Sequence, residues 1–282
     1  MPSIEHSAAW ADTAIDLGGD APARARVFGQ KQGGAGQPLV LHLHGGAFVA
    51  GDLDSGTLVA TLLARSGARV VSLEYPLAPQ HPFPAALETS HAALCWMQGH
   101  RQQLAGAQAP LYVAGEEAGG NLAAALSLMS RDRAEPTLAG QVLIAPMLDP
   151  CVATRSMREA DRGPKDCVWA AGWRSYLARP ADAMHPYACP ALGSRLASLP
   201  PTLLVNSPDD PTRDETHAFA GRLRDAKVRV HEAVVASARG WPLALMQPVQ
   251  LAAAWADELR EQLQAFFCIV RATGRPGDAA FA

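Results

Sequence analysis

Short apolar segments alternate with longer stretches of helical composition along most of this chain, and no other feature limits its possible fold as strongly. Each apolar segment is followed by Gly, Pro or a polar residue, which is typical of buried parallel strands. The alternation predicts β-α-β units, and hence an α/β fold in which helices cover both faces of a mostly parallel central sheet. The expected strands are Ala25–Phe28, Leu39–Leu43, Val70–Leu73, Leu111–Ala114, Val142–Ala145, Leu203–Val205 and Arg229–Val235. The expected helices are Ser55–Ser66, Ala85–Gly99, Gly120–Arg131, Thr216–Ala226 and about Val249–Arg271.

The length and composition favour a single domain. A chain of 282 residues with 49% hydrophobic residues can close one large core, so we assign residues 1–282 to one unit. Residues 150–190 interrupt the alternation and are rich in Arg, Asp and Trp, and we interpret them as a helical cap inserted between two strands. Residues 272–282 are broken by Gly and Pro and are expected to form a flexible tail.

The composition also argues against several partners and cofactors. A net charge of -3 without a basic cluster, together with 6% aromatic residues, disfavours nucleic-acid binding. The five cysteines form no Cys-x-x-Cys pair, so we expect no disulfide framework, no metal site and no cofactor, and a reducing cytoplasm suits this pattern. We expect neither an export signal nor a membrane span, because no run of about eighteen apolar residues occurs.

A glycine-rich turn follows the strand predicted at Leu39–Leu43. It reads His-Gly-Gly-Ala-Phe, residues 44–48, and its glycines allow backbone amides to face outward at the strand end. Amides placed in this way can hold a developing oxyanion, and we take Gly45 and Gly46 as candidate donors. A tight turn that merely requires glycine is the alternative reading.

A second turn of small residues joins the strand at Leu111–Ala114 to an alanine-rich helix. Its sequence is Gly-Glu-Glu-Ala-Gly-Gly-Asn, residues 115–121, with Glu117 in the middle. This frame is typical of a nucleophile elbow, in which the next amide, here from Ala118, completes the oxyanion hole. The usual nucleophile is serine, cysteine or aspartate. Acidic residues placed near the positive end of a helix dipole would explain the segment without any chemistry.

An acidic segment follows the strand at Leu203–Val205. It runs Asp-Asp-Pro-Thr-Arg-Asp-Glu over residues 209–215, and Asp210 is the better candidate for an orienting carboxylate at the strand end. An ordinary helix start accounts for Asp214 and Glu215, since both carboxylates would lie in the first helical turn. The two interpretations are compatible.

Together with residues 75–86, these three segments resemble the hormone-sensitive lipase family of α/β-hydrolases, which includes bacterial esterases and lipases, in order and spacing. The resemblance covers about residues 24–270. It implies an α/β-hydrolase fold with a small helical cap, and a homodimer is possible because relatives often pair through the edge strand and last helix. The cap segment that relatives carry at the N-terminus is shortened here to about residues 1–23.

The resemblance assigns roles residue by residue, and two positions depart from the family pattern. Gly45, Gly46 and Ala118 match the oxyanion positions, and Asp210 matches the acid of the triad. Glu117 stands where the family has its nucleophilic serine, and Glu116 replaces the neighbouring aspartate. The catalytic histidine falls on Arg239, and no histidine follows His231.

The two exchanges remove both halves of serine catalysis, because arginine stays protonated and cannot act as a base. Their opposite charges suggest a buried chain of salt bridges from Glu117 through Arg239 to Asp210, with the pKa of Glu117 held low by the guanidinium group. His185 and His217 are expected to be structural or solvated, as is His231, so none of them replaces the missing base.

Three functions remain compatible with the sequence. The first is a non-hydrolytic pseudo-esterase that binds a small apolar or acyl ligand. Plant gibberellin receptors are the analogy, because they resemble the same family and have also lost the catalytic histidine. The second is an isomerase, lyase or cyclase that uses Glu117 as general base. The third is a hydrolase in which Glu117 is the nucleophile, as aspartate is in dehalogenases and epoxide hydrolases of this fold.

Overall fold

The structure is a computed structural model that describes residues 10–19, 21–32, 36–160, 167–247 and 251–273. Its strands are β1 (Trp10–Ile15), β2 (Ala23–Phe28), β3 (Leu39–Leu43), β4 (Arg69–Leu73), β5 (Leu111–Glu116), β6 (Gly140–Ile144), β7 (Thr202–Asn206) and β8 (Val230–Val234). Its α-helices are α1 (Thr57–Arg65), α2 (Ala85–Gly99), α3 (Arg101–Leu104), α4 (Ala118–Arg133), α5 (Arg155–Ala160), α6 (Val168–Tyr176), α7 (Arg213–Asp225) and α8 (Ala254–Thr273).

The strands form one sheet in the order β1-β2-β4-β3-β5-β6-β7-β8. The strands from β4 to β8 along this order pair in parallel, while β2 pairs antiparallel with both β1 and β4. Every residue of β3, β5, β6 and β7 is buried, as expected for parallel strands covered on both faces. The predicted α/β fold with a mostly parallel sheet is confirmed.

Alternate side chains of the sheet enter two separate apolar cores. In β3, Leu39, Leu41 and Leu43 join one cluster with residues of α2, α4 and α7, whereas Val40 joins the other with residues of α1 and α8. This is the period of two that a strand imposes on its side chains. Because strands β3 to β8 pair in parallel, their carboxyl ends meet at one edge of the sheet, where the candidate site lies.

Most predicted elements agree with the observed ones to within a few residues, and α2 has the predicted bounds. Strand β1 was not predicted, because Trp10–Ala14 are all exposed and the strand therefore carries no apolar run. It pairs with β2 at the edge of the sheet, where Arg26 binds Asp12 of β1 at 2.6 Å. Helix α3, a single turn of four residues, was also not predicted.

The segment that we interpreted as a cap contributes α5, α6 and a 3-10 turn at Pro180–Met184. Helix α6 lies directly against the turn that follows β3: a Cβ atom built on Gly172 would be only 2.2 Å from the carbonyl oxygen of Ala47. Of the proposed tail, residues 274–282 lie outside the described residues, as do residues 1–9 and Asp20 of the proposed N-terminal segment. Within the described ranges, no helix combines the length and apolarity needed to cross a membrane.

We predict that Gly172→Ala destabilises the protein, since the new methyl group cannot fit against the Ala47 carbonyl without moving α6. Overpacking of this kind costs about 1–3 kcal/mol. Urea unfolding measures the change in the free energy of unfolding. The matched control is Gly221→Ala in α7, where the added Cβ meets nothing within 4 Å and alanine favours the helix. Equal effects of the two substitutions would show that α6 does not depend on this close contact.

Candidate active site

Glu117 is the single residue that joins β5 to α4, and its backbone adopts a rare conformation with φ 53° and ψ -115°. The glycines around it explain how this turn closes. A Cβ atom on Gly119 would lie 2.0 Å from the carbonyl oxygen of Leu43, and one on Gly115 would lie 2.2 Å from that of Gly119. Only glycine allows the backbone to approach so closely. The segment thus has the strand-turn-helix geometry of a nucleophile elbow.

The carboxylate of Glu117 is bound by three N–H donors. Its Oε2 atom accepts hydrogen bonds from the amides of Gly46 at 2.5 Å and Ala47 at 3.1 Å, and its Oε1 atom accepts one from the Trp169 indole at 2.7 Å. The side chain is only 2% exposed. The negative oxygen therefore occupies the place that converging amides would offer to a reaction oxyanion.

The turn after β3 differs in one respect from the sequence interpretation. Gly46 directs its amide at Glu117, as an oxyanion donor would, but the Gly45 amide donates to Glu116 instead, at 3.2 Å. Ala47, which was not singled out, supplies the second amide. Ala47 has a φ of 49°, a conformation that usually requires glycine, and its amide faces Glu117. Because the sequence prediction considered only the glycines of this turn as donors, it did not include Ala47. Ala118 is fully buried at the first turn of α4, beside the elbow.

Burial raises the pKa of Glu117 above its ordinary value, and the three hydrogen bonds offset this only in part. The nearby Glu116 carboxylate raises that pKa further. Our expectation of a lowered pKa is therefore wrong. That expectation required a guanidinium group beside Glu117, whereas the observed hydrogen-bond donors to this carboxylate are neutral N–H groups.

Arg239 does not approach Glu117. Its side chain is exposed, and no carboxylate of the described chain lies within salt-bridge distance of it. The loop after β8 is anchored by the buried residues Ala238 and Trp241 on either side, which leaves Arg239 facing solvent. The proposed chain of salt bridges is thus wrong. Glu117 obtains its hydrogen bonds from two backbone amides and the Trp169 indole, whereas burial of a guanidinium group would add a further desolvation cost.

Asp210 follows β7 as expected, and its hydrogen bonds are all local. Its Oδ2 atom accepts from the Asn206 side chain at 2.7 Å, and its Oδ1 atom accepts from the amide and the hydroxyl of Thr212 at 2.9 Å each. It is 1% exposed, and burial raises its pKa. No histidine within the described ranges is hydrogen-bonded to this carboxylate, so Asp210 has no imidazole to orient there.

A buried chain of polar groups behind the elbow was not anticipated. The Ser72 hydroxyl lies 2.9 Å from His42 Nδ1, and His42 Nε2 lies 2.8 Å from Glu116. All three side chains are 0% exposed, so this serine, histidine and carboxylate set meets no substrate. Glu116 also accepts the Gly45 amide, and the chain therefore fixes the turn after β3. In the sequence, this polar chain could have been suspected only from the histidine within the apolar strand β3 and the glutamate at the buried end of β5.

Four further histidines of the described residues provide no base for the elbow. His44 is buried and stacks on Tyr75, and burial lowers its pKa, which keeps the ring neutral. His217 lies beside Glu232 on the surface, 3.1 Å away, and His231 is exposed on the edge strand β8. His185, at the end of the 3-10 turn, packs on Phe83 with the two rings tilted by 51° and their centroids 5.2 Å apart. The expectation that His185, His217 and His231 are structural or solvated is confirmed by these contacts.

We predict that the difference in the free energy of unfolding between the parent and Glu117→Gln depends on pH. A carboxyl group whose pKa is raised in the folded state favours folding most below its unfolded pKa, about 4.3. This contribution is lost as the pH rises through the raised folded value, so the parent should lose stability relative to the variant.

Urea unfolding at several pH values from about 4 to 8 measures this difference, in which the other titrating groups cancel. Glu261→Gln, at an exposed glutamate of α8, is the control substitution. A parent that gains stability relative to Glu117→Gln as the pH rises would contradict the raised pKa.

The chain is similar in sequence and in fold to several esterases. A family model described as alpha/beta hydrolase fold matches residues 40–240. The chain is 35% identical over 259 residues to the carboxylic ester hydrolase LipN of Mycobacterium tuberculosis, covering 88% of this chain and 67% of that protein. It is 31% identical over 198 residues to an arylesterase of Saccharolobus solfataricus, covering 67% of this chain and 63% of that protein.

Solved structures agree with this result. The carboxylesterase EstE1, cloned from a metagenomic library, has a TM-score of 0.80 at 33% identity, with 97% of this chain and 92% of that chain covered. The esterase of Pyrobaculum calidifontis has a TM-score of 0.79 at 34% identity, with 94% and 86% covered. The chain belongs to the hormone-sensitive lipase-like family of α/β-hydrolases.

Proposed function

We propose that this chain is a non-hydrolytic member of its esterase family that binds a small apolar or acyl ligand. The observation that supports this most directly is the position of the Glu117 carboxylate on the amides of Gly46 and Ala47. An esterase needs those amides free to receive the oxyanion of the tetrahedral intermediate. Here the side-chain carboxyl group of Glu117 occupies them.

The surroundings of Glu117 support the same conclusion. Among the described residues no imidazole is hydrogen-bonded to Glu117, since His42 binds the neighbouring Glu116, and Arg239 lies in solvent. In serine proteases of known mechanism, loss of the nucleophile or the base costs on the order of 10⁶ in turnover. Binding of a ligand, by contrast, requires only a cavity and a stable frame, and both the sheet and the helices over it are retained.

A second candidate function is favoured by the raised pKa of Glu117. A buried carboxylate with a raised pKa is suited to remove a proton from carbon, as in an isomerase, lyase or cyclase. In the observed arrangement both carboxylate oxygens accept hydrogen bonds, so a substrate would have to displace the Trp169 indole from Oε1. Exchange of a substrate carbon-bound hydrogen with deuterated solvent would identify this activity.

The third candidate makes Glu117 a nucleophile that forms an ester with the substrate. Its two oxygens are already held by the three N–H donors, which lowers the nucleophilicity of the carboxylate. With no base placed to activate water, such an ester would persist. A stable increase in protein mass after incubation with an alkyl halide or epoxide would identify this reaction.

A cytoplasmic location and a homodimer stay predictions from the sequence.

We predict no measurable turnover of short-chain p-nitrophenyl esters and no labelling by a fluorophosphonate, because no activated serine occupies the elbow. Release of p-nitrophenol and intact-protein mass spectrometry measure the two results. An active esterase of the same family, treated in parallel, controls for the reagents. Stoichiometric labelling of any serine of this chain would contradict the proposed function.

A further inference from the structure

A cavity of about 600 Å³ lies between α6 and the loop that follows β6. Its size is within the range of about 300–1,000 Å³ that small-molecule sites usually have. Glu117 is not among its lining residues, so it is separate from the elbow. Its lining includes Val152, Ala170, Trp173, Arg174, Leu177 and Arg179.

The walls of this cavity are largely apolar. On α6 and just beyond it, Ala170, Trp173 and Leu177 follow one another at helical spacing and face the loop. Trp173 is 3% exposed and packs on Phe48, 5.0 Å away between ring centroids, so this wall is fixed by the core. Across the cavity stands Val152, whose φ of 51° belongs to the turn that closes the loop.

Arg174 places an unpaired positive charge on this apolar wall. Its side chain is exposed, and among the described residues no carboxylate lies within salt-bridge distance of it. Arg179, also in the lining, is engaged by Asp182 at 2.7 Å. The thiol of Cys151 contributes no negative charge, since the adjacent Asp149 raises its pKa. The described walls thus combine apolar surface with one available guanidinium group.

We propose that this cavity binds an amphipathic monoanion, with an apolar chain against Trp173 and Leu177 and a carboxylate on Arg174. A guanidinium group matches a carboxylate geometrically and can donate two parallel hydrogen bonds to it. The inference rests on the proposed function: Glu117 fills the amides of the elbow, so an acid cannot place its carboxylate there. A medium-chain fatty acid has the required chemistry.

This position also connects the ligand to the elbow. Trp169 and Trp173 lie one turn apart on α6, so the helix that lines the cavity also donates a hydrogen bond to Glu117. A chain packed against Trp173 contacts the helix that covers the carboxylate. Occupancy of the cavity is therefore expected to hold α6 against the turn that follows β3.

Titration calorimetry with the full chain tests the site, with decanoate as the probe below its micelle concentration. Decanol and decyltrimethylammonium have the same chain with a neutral and a positive head group. We expect decanoate to bind about tenfold more tightly than decanol, as one charge-assisted contact allows, and the cation to bind most weakly. Arg174→Gln should remove the preference for decanoate, while binding of decanol changes little.

Arg229→Gln, at an exposed arginine before β8, is the matched control and should leave all three affinities unchanged. Leu177→Trp should weaken decanoate and decanol alike by filling the cavity. The proposal is overturned if decanoate binds no better than decanol, if Arg174→Gln and Arg229→Gln act equally, or if only Glu117→Gln abolishes binding. These outcomes differ from failure of the proposed function, which would appear as ester turnover or serine labelling whatever the probes bind.

Discussion

The hydrogen bonds of one carboxylate join three separate parts of this molecule. Glu117 stands on the turn between β5 and α4, receives the amides of Gly46 and Ala47 from the turn after β3, and receives the Trp169 indole from α6. The elbow, the turn after β3 and helix α6 are thereby fixed to one another around a single buried carboxyl group.

A second carboxylate lies directly behind the first and has a different role. Glu116 receives His42 and the Gly45 amide, so it fixes the same turn from the opposite side. Two adjacent buried carboxylates repel each other, and Glu116 contributes to the raised pKa of Glu117. The arrangement is stable because every oxygen of the pair accepts at least one N–H group, which is the condition for burial of a polar group at tolerable cost.

The fold could be predicted from the sequence because its signals are local. Apolar runs, glycine turns and helix lengths located seven of the eight strands, and only β1, an exposed ribbon at the edge, lacked such a signal. The elbow and Asp210 were found for the same reason, since each directly follows a strand. The hydrogen-bond partners of Glu117 were not found. Arg239 was chosen because its charge is opposite, but opposite charge does not determine where the loop after β8 places the side chain. The direction of the Ala47 amide depends on backbone angles that composition does not encode.

The backbone of Glu117 has a further consequence for how such a protein can change over generations. A residue with φ 53° and ψ -115° carries about 1–3 kcal/mol of strain, and the close packing of Gly115 and Gly119 maintains it whatever side chain the position bears. An exchange of the side chain therefore removes the hydrogen bonds of its carboxylate but not the conformation of the turn, which cannot relax without several simultaneous changes. The energetic cost of this turn is therefore constant, and it does not depend on the chemistry of the side chain that the turn carries.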